Sequence, residues 1–165
     1  MRAIRVIKAT AATEVAGSRI TYATAALLAA AAVFLVVAAK ASDATLRAHV
    51  DAWSKTIGVD ARAVALAAAN RHPRRMTTDA VRFRADALRA QTAIRAQRAS
   101  TERGRKARRL ALAAFTSYAR AGALWATSGR ERLAHKLAAA TTAARAAAAA
   151  AGKGNSLLLG ATKLL

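Results

Sequence analysis

The sequence contains no cysteine, which excludes disulfides, thiol nucleophiles and cysteine-ligated zinc or iron–sulfur centres. It has one proline, and aromatic residues make up only 4%, too few for the base-stacking platforms of single-strand nucleic-acid readers. Acid is scarce: 8 Asp and Glu stand against 28 Lys and Arg, giving a formal charge of +20. Large apolar side chains are sparse as well, because 52 of the 165 residues are alanine and carry much of the 55% hydrophobic fraction. At ~25 cal/mol per Å² of buried apolar surface, an Ala-rich interior stabilises far less than a Leu/Ile one. A chain of this length is one domain or at most two. These shortages argue against a self-contained soluble enzyme.

What the sequence does have is one long uncharged run. Residues 20–39 read ITYATAALLAAAAVFLVVAA, and twenty helical residues span ~30 Å, the thickness of a bilayer's hydrocarbon core. Arg19 and Lys40 flank the run and Tyr22 lies near its start, as expected for residues at a membrane boundary. Ala39-Lys40-Ala41 has the shape of a leader-cleavage site. The 19 residues before the run include Glu14, and the run exceeds a normal leader core, so a retained transmembrane helix is expected. Within residues 1–19, Arg2, Arg5 and Lys8 share one helical arc opposite Ile4, Val6 and Ile7. That basic amphipathic pattern suits a head-group plane or a mitochondrial targeting helix. The distribution of cations around the run weakly favours an N-terminus on the matrix or cytoplasmic side.

From residue 42 onward the pattern predicts an all-α region of four or five Ala/Arg-rich amphipathic helices, without a compact independent core. Leu46, Val50 and Trp53 share a face after Asp43, a candidate N-cap, and Gly58 reads as a stop. Asp60 then opens a short helix that Pro73 ends, and Thr77 or Thr78 caps the next. Its Ala80, Ala87 and Ile94 recur every seven residues. Gly104 reads as a break before a helix from Arg105 to about Ala126, whose stripe is Ala111, Ala114, Tyr118, Ala121 and Trp125. Residues 110–127 are apolar enough to suggest a second span, but Arg120 in their middle favours an amphipathic helix. Ser128 is expected to cap a last helix ending at Ala151 in the extramembrane region 42–151. Residues 152–165 follow Gly152-Lys153-Gly154 as a leucine-bearing docking tail.

Between Arg71 and Lys136 there are 17 basic and 4 acidic residues. Two clusters stand out: Arg71, Arg74 and Arg75 around His72-Pro73, and Arg103, Arg105, Lys106, Arg108 and Arg109. Arginine presents a planar fork matched to phosphate and carboxylate oxygens, so an anionic lipid of cardiolipin type or an acidic partner subunit is expected there. Nucleic acid is the other candidate partner. His49, His72 and His135 have no carboxylate at triad or ligand spacing, and Gly152-Lys153-Gly154 lacks the spacing of a phosphate loop. No catalytic residue, metal, cofactor or small-molecule substrate is expected. The resulting expectation is a non-catalytic accessory subunit of a multi-subunit membrane complex, with the mitochondrial inner membrane (respiratory chain or ATP synthase) as its setting. An organelle ribosomal protein, or a bacterial or viral envelope protein contacting nucleic acid, are the alternatives.

Overall fold

The computed structural model describes residues 42–165; the basic segment 1–19, the run at 20–39, and Arg19, Tyr22 and Lys40 lie outside them. Among the described residues there are four helices and no strand: α1 (residues 42–69), α2 (Pro73–Ala96), α3 (Glu102–Leu133) and α4 (Leu137–Leu164). Links of three to five residues join them, too short to do anything but reverse the chain. Contacts along the chain give the order up-down-up-down. Gly129 of α3 lies against Pro73 and Thr77 at the start of α2, whereas Arg108 reaches Ile94 and Arg95 at its end. Ser128 reaches Ala140 across the next turn, and Leu110 meets Gly160 near the end of α4.

The spacing of buried residues explains why these four segments pair. Met76, Ala80, Phe83, Ala87, Ala90 and Ile94 of α2 alternate steps of four and three, the seam that lets helices meet at a shallow angle. α3 repeats the rhythm with Ala107, Ala111, Ala114, Tyr118 and Ala121, and buries a second face through Phe115, Ala119 and Gly122. The second face exists because α3 packs against both α2 and α4. α4 buries Ala140, Ala147, Gly154 and Ala161, one residue every seven. Small residues on these seams bring backbones close: a Cβ on Gly122 would lie 2.9 Å from the Ala80 carbonyl oxygen.

Larger side chains fill the centre. Phe83 meets Tyr118 edge-on at 6.0 Å and Trp125 at 5.3 Å, and Phe115 lies 6.1 Å from Tyr118. Such pairs contribute about 0.5–1.5 kcal/mol each beyond their buried area. The buried side chains form one contiguous cluster, from Leu46 and Val50 of α1 through Phe83 and Phe115 to Ala161 of α4. The expectation of no compact core is therefore corrected: alanines contribute by close approach what they lack in volume.

Several expected boundaries also move. α1 passes through Gly58, where added side-chain atoms would meet open space. Asp60 is in the seam of that helix, not at a new start. Pro73 begins α2 instead of only ending its predecessor. It suits the first helical position, where no amide donor is needed. Thr77 and Thr78 lie inside α2, their hydroxyls donating to the carbonyls of Pro73 and Arg74. Gly104 is in the first turn of α3, capped by Thr101. Ser128 is buried in α3, and α4 continues past Gly152 as helix to Leu164. Among the described residues no helix is long and apolar enough to cross a membrane, and residues 110–127 form part of amphipathic α3.

Candidate anion-facing surface

Of the basic residues, 23 lie among the described residues, with 7 acidic ones. Most of those acids are already engaged. Asp51 pairs with Arg47 at 3.9 Å, Asp79 with Arg75 at 3.7 Å, and Asp86 with Arg89 at 2.8 Å. Asp60 pairs with Arg82 at 3.2 Å, and Asp43 is tied to the start of α3. Glu102 and Lys106, four residues apart on α3, form no ion pair with each other. Both are exposed beside the arginines of α3. The cations outnumber their internal partners, so the surface carries charge that only an external anion can neutralise.

The antiparallel topology sends the two arginine clusters to opposite ends of the bundle. Arg71, Arg74 and Arg75 lie at the α1–α2 turn, and Arg103, Arg105, Lys106, Arg108 and Arg109 at the start of α3, one full helix length away.

At the α3 end, cations and hydroxyls close the structure on itself. Asp43 accepts from the Ser100 amide at 3.2 Å and from the Thr101 hydroxyl, whose oxygen accepts from the Gly104 amide at 2.8 Å. Arg108 donates to the carbonyls of Ile94 (3.2 Å) and Arg95, satisfying the end of α2. Arg105 donates to the Ser100 carbonyl at 2.7 Å, and Ser42 to Arg98 at 2.7 Å. Arg108 is half-buried by this role, while Arg103, Lys106 and Arg109 remain exposed. Of the five residues in this cluster, three face outward freely and two have internal work.

At the opposite end α1 and α3 close through backbone bonds alone, the amides of Arg71 and His72 donating to Ala68 and Ala67 and those of His135 and Lys136 to Arg132 and Glu131. α2 starts from His72 and α4 from Lys136, neither giving a side-chain cap bond and neither helix carrying acid in its first turn. Arg71 and His135, in the two turns, have left-handed φ of 56° and 57°, a conformation that disfavours residues bearing Cβ. Clefts there are lined by His72, Pro73, Arg74, Arg75 and Leu133, and by Arg71, Arg132 and Leu137 among others. Arg71 and Arg74 are exposed and form no ion pair among the described residues.

One constellation was missed on sequence. Asp60 is 3% exposed, with one carboxylate oxygen on Arg82 and the other without a hydrogen-bond partner. Burial pushes its carboxyl above the usual range, reinforced by the neighbouring Asp86 and Asp79 and opposed by Arg82. The signal was its place in the four-three rhythm with Ile57, Val64 and Ala67. Burial also pushes the Tyr118 phenol up to about 12, and its hydroxyl donates to Asn155 at 2.7 Å. Among the described residues no group of three His, Cys, Asp or Glu converges as a metal site. Comparison of the chain with protein-family models, curated proteins and solved structures returns no match.

Proposed function

We propose that the chain is a non-catalytic accessory subunit of a multi-subunit membrane complex, anchored by residues 20–39 and docked on its companions through the cationic four-helix module. The mitochondrial inner membrane is the proposed setting, on the strength of the basic amphipathic start, with a cardiolipin-type lipid as a further contact. The observation that carries the docking half is the charge balance: 23 basic residues against 7 acidic ones in the module, with most of the acids engaged within it. Arginine dominance favours oxygen anions presented in a plane, carboxylate or phosphate.

The test has two readings. Alkaline carbonate washing leaves an anchored chain in the membrane pellet, and native electrophoresis with mass spectrometry identifies its companions. Arg103→Glu with Arg109→Glu is the informative variant, because Arg105 and Arg108 serve the fold. Loss of co-migration with retained insertion supports the proposal. Release by carbonate, together with association to ribosomal RNA that weakens steeply with salt, transfers the chain to the ribosomal reading.

A further inference from the structure

The end of the bundle formed by the turns at 70–72 and 134–136 exposes leucines among its cations. Leu66 in the last turn of α1 is 64% exposed, Leu133 at the end of α3 43%, and Leu137 in the first turn of α4 66%. Around them stand Arg71, Arg74, Arg75, Arg132 and Lys136. A cleft of about 470 Å³ places Leu133 beside Arg74 and Arg75, and a smaller one of about 110 Å³ joins Leu137 to Arg71 and Arg132. The carboxylates on these segments are Asp79, held by Arg75, and Glu131. Water suits the guanidinium groups but not leucines exposed beside two adjacent turns.

A bilayer interface suits both. Apical leucines enter the boundary of the acyl chains, and the ring of guanidiniums meets lipid phosphates, which they bind as planar forks. We infer that this tip is a docking surface for an anionic phospholipid bilayer. Charge complementarity selects anionic over neutral lipid. The leucines lie near the turns at one end of the bundle and not in a stripe along its length, which selects a surface met end-on over a partner helix. The inference goes beyond the proposed anchor: α1 separates residue 42 from the tip by roughly 40 Å of helix, so the tip is a second contact.

The experiment keeps the two apart. The full chain is reconstituted into phosphatidylcholine nanodiscs and mixed with vesicles of phosphatidylcholine, alone or doped with cardiolipin, and the vesicles are floated. Failure to enter nanodiscs rejects the anchor alone, and flotation is then run on the free chain. The tip predicts co-flotation with cardiolipin vesicles only. At about fivefold per cation, Arg71→Glu, Arg74→Glu and Arg132→Glu together weaken capture by about a hundredfold or more. Leu133→Asn with Leu137→Asn weakens it at unchanged charge, and Lys55→Glu with Arg120→Glu, both exposed midway along α1 and α3, leaves it within about twofold. The same three arginines changed to Gln guard against a misfolded reversal variant, and a matched helical circular-dichroism spectrum is required of each. Capture by neutral vesicles, capture undiminished in the tip variants, or displacement of the vesicles by homopolymer RNA bound at the same arginines overturns the inference.

Discussion

At the end of the bundle where α3 begins, arginine completes the fold. Arg108 covers the last carbonyls of α2, Arg105 covers Ser100, and Thr101 with Asp43 closes the amides of α3. At the other end no guanidinium caps a helix: α1 and α3 close through backbone bonds around left-handed Arg71 and His135, and α2 and α4 start without side-chain caps. Left-handed residues bearing Cβ and helix starts without a side-chain cap each cost some stability. A count of arginines does not distinguish a residue that holds the chain together from one that waits for an anion. The carbonyl it faces does.

The sharpest way to break this comparison is to truncate one arginine from each end. Arg108→Ala is expected to cost about 2 kcal/mol, since charge-assisted bonds to two helix-terminal carbonyls are lost. Arg74→Ala is expected to leave stability within a few tenths, as surface changes do. Urea denaturation of both variants in the same detergent checks the pair, and equal losses would erase the distinction between the ends. Next in size is Thr101→Ala, which removes the cap of α3 and the anchor of Asp43; about 1 kcal/mol is expected, read from the same curves.

How far the sequence revealed this architecture depends on which signal is followed. The seams of α2 and α3 were legible, because Ala80, Ala87 and Ile94, and Ala111 through Trp125, keep their rhythm without needing a neighbour to explain it. Helix ends were legible only in part. Gly58 and Gly152 look like stops, yet neither the chain reversal nor a left-handed φ occurs there. Packing of the flanking seam residues outweighs a penalty of about 1 kcal/mol for glycine in a helix. Ser128 has the chemistry of a cap, but its hydroxyl serves Ala140 from inside α3. The two arginine clusters were visible as clusters. Their placement at opposite ends required the antiparallel order, and the separate duty of Arg108 required knowing that α2 ends beside it. Sequence spacing alone cannot distinguish Arg108 from Arg109.

Between the ends, Asp60 offers a test of how the middle of the bundle tolerates charge. Its carboxyl is held above the ordinary range by burial, then by Asp86 and Asp79, against the pull of Arg82. A raised folded-state value means that the stability it contributes is full below the unfolded value and is lost as pH rises through the folded one. Asp60→Asn keeps the shape and removes that titration. The variant is expected to melt higher than the parent at neutral pH, by about 2–4 °C. The gain shrinks toward zero as the pH is lowered into the carboxylate range, where the parent is itself protonated. Thermal melts across that window decide it, and a gain that persists undiminished in acid would assign the effect to packing instead.

The smallest effect is the most telling about the open end. His72→Asp supplies α2 with the cap it lacks, an oxygen placed to accept from the amides of Arg74 or Arg75, and puts negative charge at the positive end of the helix dipole. About 0.5–1 kcal/mol of added stability is expected from denaturation curves. The gain would be tempered because the backbone at His72, with ψ near 80°, must rotate toward the extended cap geometry. If the tip is left open in order to meet an anion, the same substitution weakens capture of cardiolipin vesicles while it strengthens the fold, the trade expected where a binding surface is kept at the expense of stability. A variant that gained stability and lost no capture would mean that the bare helix start is merely tolerated. The arginines and leucines around it would then have to account for binding by themselves.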